Sequence, residues 1–155
     1  MLSDAELRNL LNRSHSIAVV GLSADWNRPS HFAAKYMQQA GYRIHPVNPR
    51  YAGQSILGVP CVASLEELRE PVDIVDVFRR SEEVMPVAHA AVALGAKCLW
   101  QQLGVRNLEA DACVRAAGLA SVMDRCVKIE HARLFGGRNW AGVNTGIISS
   151  RRAGT

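Results

Sequence analysis

Short apolar, β-branched runs alternate along this chain with stretches whose apolar residues recur at helical spacing. The first run, Ser16-Ile17-Ala18-Val19-Val20-Gly21-Leu22, closes on a glycine and reads as a buried strand. Tyr42–Val47 is a second strand, ended by Asn48-Pro49, and Val72–Phe78 is a third. Ala96–Trp100 and Leu119–Met123 complete a set of five. Helices fill the intervals. Ser3-Asp4-Ala5-Glu6 has the form of a capping box ahead of Leu7, Leu10 and Leu11. His31 to Ala40 carries helical periodicity that Gly41 stops, and a short helix is expected near Ser64. Ser81 is placed to cap a helix of Val84, Val87, Ala88, Ala91 and Leu94 that ends at Gly95. Leu108 to Ala117 is helical up to Gly118, and a last helix is expected from Cys126 to Leu134.

Strands written as continuous apolar runs, separated by helices of about ten residues, signify a parallel sheet with both faces covered. Right-handed crossovers make a doubly wound arrangement the simplest topology. The expected architecture is α/β: a Rossmann-like, five-stranded parallel sheet in the order 3-2-1-4-5 with helices on both faces. One domain spans residues 1–134, and residues 135–155 form a tail, either loop or packed extension.

Composition narrows the function. Of 155 residues, 48% are hydrophobic and 21% charged, as a globular core requires. No apolar run reaches the roughly 18–20 residues of a membrane span, and the N-terminus lacks a basic start and apolar block. A cytoplasmic location without membrane contact is the expectation. The net charge of +4 suits a small polyanion, but no run of five like charges and few aromatics argue against nucleic acid. Cys61, Cys98, Cys113 and Cys126 show no CxxC spacing, and the histidines show no HExxH or HxH spacing. No metal site is predicted.

In such sheets ligands bind beyond the carboxyl ends of the strands, at the switch point beside the first strand. There the chain reads Gly21-Leu22-Ser23, then Arg28-Pro29-Ser30. Gly21 permits a sharp turn. Ser30 is expected to cap the next helix, whose free amides and positive dipole end attract phosphate, with Arg28 reaching in from the side. The loop has neither the three glycines of GxGxxG nor a GKS or GKT sequence. After the second strand, where NAD-binding folds carry an acid, stand Asn48, Pro49 and Arg50. An arginine there favours an additional ribose phosphate, which both NADP and coenzyme A possess.

Together these segments resemble the small stand-alone coenzyme A-binding proteins, whose fold is similar to the nucleotide-binding domain of the succinyl-CoA synthetase α-subunit. The resemblance is carried by Ala18–Ser23, Arg28-Pro29-Ser30, Gly41–Pro49, Ile56-Leu57-Gly58, Val72–Arg79, Gly95–Trp100 and Met123–His131. It implies that Gly21, Leu22, Ser23 and Ser30 face a pyrophosphate. It implies that Asn48, Pro49 and Arg50 lie near the adenosine and its 3′-phosphate. Phe78 and Arg79 would then border the adenine or the start of the pantetheine arm, with Gln101 and Gln102 towards the thiol end. The implied ligand is coenzyme A, and the role that of a binding module, with a homodimer or a protein partner left open. A ligase reaction would need a phosphorylated-histidine domain and a second subunit for which this chain has no room. The competing reading is an NADP-type oxidoreductase or another nucleotide-using enzyme.

Two further features call for an expectation. Cys126 and His131 are five apart, about 140° around a helix of 3.6 residues per turn, so they face apart, and Cys126, Lys128, Glu130 and His131 read as a structural cap. Asp73 and Asp76 sit on opposite strand faces and make no catalytic pair. Asp76, a carboxyl in an otherwise apolar strand, is expected to bond to loop backbone near the site.

Overall fold

The computed structural model describes residues 1–136; the tail expected beyond them lies outside the described residues. Strands β1 (Ser16–Val20), β2 (Arg43–Val47), β5 (Ile74–Val77), β6 (Cys98–Gln101) and β7 (Ala120–Val122) form one sheet, and β3 (Ser55–Ile56) and β4 (Val59–Pro60) make a small antiparallel hairpin. Helices α1 (Asp4–Arg13), α2 (Pro29–Gln39), α3 (Val84–Leu94), α4 (Leu108–Ala116) and α5 (Val127–His131) alternate with them. All pairings of the main sheet are parallel. The fold is the expected doubly wound α/β sheet.

Within that class the strand order differs from the expected one. The sheet runs β2-β1-β5-β6-β7, which in terms of the five strands of the sequence is 2-1-3-4-5 rather than 3-2-1-4-5. The reason lies in the outer edge of β2. Pro46 has no N–H to offer there, and its carbonyl is taken by the Val62 amide at 3.1 Å. The Asn48 amide returns a bond to the Val62 carbonyl at 2.8 Å, so the segment after the hairpin closes this edge. The next strand therefore pairs on the free side of β1, where Ile17 faces Ile74. The crossover reverses at β1, and the crevice opens between the ends of β1 and β5.

Two apolar layers hold the sheet. Leu7, Leu10 and Leu11 of α1, Ala33, Ala34 and Met37 of α2 and Val127 of α5 pack with Ile17, Val19, Ile44, Ile74 and Trp100. On the other face, Val84, Ala88 and Ala91 of α3 and Ala110 and Val114 of α4 pack with Ala18, Val20, Val75, Val77 and Leu99. The capping box of α1 is present in full: the Glu6 amide donates to Ser3 Oγ, and Glu6 Oε1 accepts from the Ser3 amide. Ser81 does not cap α3. It opens a 3₁₀ turn, Ser81–Glu83, and its Oγ accepts instead from the Arg106 amide at 2.8 Å. This ties the end of β5 to the loop after β6.

Candidate functional site

Gly21 ends β1 in a backbone conformation that other residues avoid, with φ of +92°. Its amide donates to the Val47 carbonyl, and the Phe78 amide donates to the Val20 carbonyl, both at 2.8 Å. The ends of β2, β1 and β5 are thereby drawn together. A Cβ at Gly21 would run into the Phe78 carbonyl oxygen, so only glycine permits this approach.

The loop that follows is stitched to itself. Ser30 Oγ accepts from the Ser23 amide at 3.0 Å, Ser23 Oγ accepts from the Asp25 amide, and the His31 ring meets the Ser23 carbonyl. Ser30 was expected to be the helix cap; the cap position is Arg28, because Pro29 is set at the first helical position, where its missing N–H costs nothing. The Arg28 carbonyl accepts from the His31 and Phe32 amides, at 3.0 and 3.2 Å. Among the described residues the Ser30 amide donates to no carbonyl, leaving a free donor in the first turn of an eleven-residue helix.

A cavity of about 750 Å³ lies over this loop. Gly21, Ser23, Arg28 and Ser30 line it from the end of β1 and the start of α2, Phe78, Arg79, Arg80 and Glu83 from the end of β5, and Gln102, Leu103, Val105, Cys126 and Ile129 from beyond β6 and β7. A smaller cavity of about 290 Å³ lies on the opposite side of the crevice, lined by Val20, Val47, Pro49, Leu65 and Val87 among others. Arg79 lines both. Arg80, by contrast, is engaged by Glu82 and Glu83. Among the described residues neither Arg28 nor Arg79 makes an ion pair of 4 Å or less; Glu83, which lines both cavities, feels the charge of Arg79 but is paired with Arg80, so two guanidinium groups remain available beside a helix N-terminus. That arrangement suits a phosphate or pyrophosphate.

The sequence-predicted residues divide. Gly21, Ser23, Arg28, Ser30, Phe78, Arg79 and Gln102 meet at the larger cavity, and Pro49 lines the smaller. Leu22 is fully buried, and its carbonyl accepts from Asn48 Nδ2 at 3.0 Å. Asn48 Oδ1 accepts from the Arg50 amide, so Asn48 locks two strand-end loops together. The Arg50 guanidinium lies over the Tyr51 ring, 5.6 Å from its centre. Gln101 turns away from the cavity and exchanges two hydrogen bonds with the Asn107 backbone.

Asp76 corrects an expectation. Among the described residues it bonds to no loop backbone; its Oδ1 accepts from Gln102 Nε2 at 2.6 Å, and the residue is 1% exposed. Burial pushes it up to about 8, against which the Gln102 bond acts weakly. Cys126, in turn, lines the cavity, whereas Glu130 is spanned by Arg125 and Arg133 and His131 by Tyr36. The cap reading holds for those partners and not for Cys126. The far wall from Leu103 to Val105 was missed, although it follows a strand end as the other loops do. Among the described residues no helix is long and apolar enough to cross a membrane.

Comparison with known proteins identifies the family and the fold. The CoA binding domain family matches residues 15–132. The YneT protein of Bacillus subtilis is 46% identical over 130 residues, covering 84% of this chain and 95% of that protein. The structure of cell-free ID.343 from Thermus thermophilus superposes with a TM-score of 0.84 at 42% identity, covering 86% of this chain and all of that one. An acetyl-coenzyme A synthetase of Candidatus Korarchaeum cryptofilum, solved with phosphate and ADP, shares the fold at 20% identity. Its TM-score is 0.63, over 76% of this chain and 27% of that one.

Proposed function

This chain belongs to the CoA binding domain family, and from that premise we propose that it holds coenzyme A or an acyl-CoA in the crevice between β1 and β5. Its role is that of a carrier, sensor or accessory module without catalysis of its own. The observation that carries this reading is the larger cavity, whose lining combines the first turn of α2, with its free Ser30 amide, and the guanidinium-bearing Arg28 and Arg79. A pyrophosphate there satisfies the helix N-terminus and both guanidinium groups at once. Arg79, shared by the two cavities, lets one ligand straddle the crevice. The nucleoside occupies the smaller, apolar side near Pro49, and the pantetheine arm runs past Phe78 towards Gln102. Arg50 follows Pro49, and its guanidinium, which among the described residues makes only a ring contact, swings to the 3′-phosphate. Small ligand and cytoplasmic setting follow from the same reading.

The test is charge reversal. Arg28→Glu with Arg79→Glu removes two positive charges from the cavity without touching the core. The double variant is expected to keep its circular dichroism spectrum and lose coenzyme A binding by at least a hundredfold. Retained affinity in a folded double variant overturns the assignment of the phosphate end.

A further inference from the structure

Beyond the end of β6 and at α5 the residues that line the larger cavity are apolar apart from one side chain, while Arg80 and Glu83 reach it from the end of β5. Leu103, Val105 and Ile129 are aliphatic and Cys126 is a thiol; Gln102 alone brings an amide. Gln102 is 2% exposed and anchored at one end only, on Asp76. Among the described residues its other end, Oε1, accepts no hydrogen bond.

The two ends of an amide have the same shape, so Asp76 can hold either. Ionised, Asp76 accepts from Nε2 and leaves Oε1, an acceptor, as the free end. Protonated, its hydroxyl donates to Oε1 and leaves an N–H free. The 2.6 Å separation is short for N–H···O and ordinary for O–H···O. We propose that Gln102, steered by the buried Asp76 carboxyl, selects the acyl thioester form of the ligand over the free thiol, donating its N–H to the thioester carbonyl while Asp76 carries a proton. The proposal rests on the coenzyme A reading above and names the ligand class at its far end: a short, apolar acyl group. The aliphatic walls take the acyl chain, and the one amide takes the carbonyl. A free thiol or a thioether offers no comparable acceptor. Ionised Asp76 turns Oε1 towards the carbonyl, and two acceptors then face each other.

The groups around Asp76 leave its proton to this pair. On β6 the neighbouring titratable side chain is Cys98, a buried thiol pushed up by burial and by Asp76 itself. On α5, Glu130 is held by Arg125 and Arg133, and His131 meets Tyr36 of α2. Lys128 of α5 sits over the Tyr36 ring, and Lys35 and His31 belong to α2. On α1, Asp4 is paired with Arg133, Glu6 with Ser3, Arg8 with the Leu134 carbonyl, and Arg13 ends the helix. None of these charges acts on Asp76, whose proton is set by burial and Gln102.

The experiment is calorimetric titration of the full chain with acetyl-CoA and with S-ethyl-CoA, a thioether of similar shape that lacks the carbonyl, at pH 7 and pH 9. With Asp76 titrating at about 8, acetyl-CoA affinity is expected to fall about tenfold between the two, and S-ethyl-CoA affinity to stay level. Asp76→Asn, whose amide can donate to Oε1 as the protonated acid does, keeps tight acetyl-CoA binding at both values. Gln102→Leu binds both ligands and loses the preference. Equal affinity for the two ligands in the wild type, with the same pH profile, overturns the proposal while leaving the coenzyme site standing. Failure of both ligands and of coenzyme A itself to bind overturns the site reading and the proposal with it.

Discussion

Gly21→Ala is the sharpest perturbation this fold offers. The residue sits at φ +92°, where an L side chain costs roughly 1–2 kcal/mol. The added methyl also runs into the Phe78 carbonyl oxygen, which is backbone and cannot rotate away. Relief requires the ends of β1 and β5 to part, weakening the Phe78-to-Val20 and Gly21-to-Val47 hydrogen bonds, each worth about 1 kcal/mol. Together these give a loss of about 3–4 kcal/mol, a drop in Tm of roughly 6–16 °C for a chain of this size. Gly53→Ala is the control: its φ is +86°, but a Cβ there meets nothing within 4 Å. It should lose only the backbone cost, about 1–2 kcal/mol. Urea unfolding followed by circular dichroism measures both. A Gly21→Ala variant no less stable than Gly53→Ala would refute the argument that close strand approach, rather than local turn geometry, demands this glycine. The same variant should bind coenzyme A at least tenfold more weakly, because the crevice opens at the proposed phosphate site.

Three other outcomes are expected. Arg50→Ala should weaken coenzyme A about tenfold and leave 3′-dephospho-coenzyme A nearly unchanged in parallel titrations, through loss of one charge-assisted contact; equal losses would remove Arg50 from the 3′-phosphate. Ser3→Ala, which breaks the capping box, should cost about 1 kcal/mol in urea unfolding, and no measurable cost would mean that the first turn of α1 is held by packing alone. His45 is buried, its Nε2 makes no hydrogen bond among the described residues and lies 3.9 Å from Glu70 Oε1, and burial, outweighing the Glu70 charge, holds its imidazole below the ordinary histidine value. The unfolded chain then binds the proton more readily than the native one, so this contribution to stability is complete above pH 6.5 and is lost as pH falls through the lowered native value. His45→Gln should flatten the dependence of the urea midpoint between pH 7.5 and pH 5, and an unchanged slope would assign that dependence to other groups.

Much of this could be read from residues close together in the chain. Ser3 and Glu6 are three apart, and the capping box forms as written. Gly95 closes α3 in the left-handed conformation that its place after Leu94 implies. Strand identities followed from apolar runs, but strand adjacency did not, since a run buried on both faces says nothing of its neighbours. The order turned on Pro46 and Val62, whose pairing across the edge of β2 depends on a hairpin that leaves only a turn-rich signature. The residues that line the larger cavity were legible where chemistry and position coincide, as at Gly21, Ser30 and Arg79, although the helix cap fell to Arg28 rather than Ser30. It was not legible where a polar side chain serves the scaffold: Asn48 and Gln101 both spend their amides on neighbouring backbone. Gln102, one residue on, faces the other side of the sheet, and its partner Asp76 is 26 positions away. Only the alignment of β5 beside β6 brings that pair together.

The central claim is that the crevice between β1 and β5 takes coenzyme A, and calorimetric titration of the ligand-free chain at moderate salt tests it most directly. The account predicts saturable one-site binding of coenzyme A or its acetyl thioester, with NAD and NADP at least a hundredfold weaker. No heat and no thermal stabilisation with millimolar coenzyme A, or preference for NADP, would contradict it.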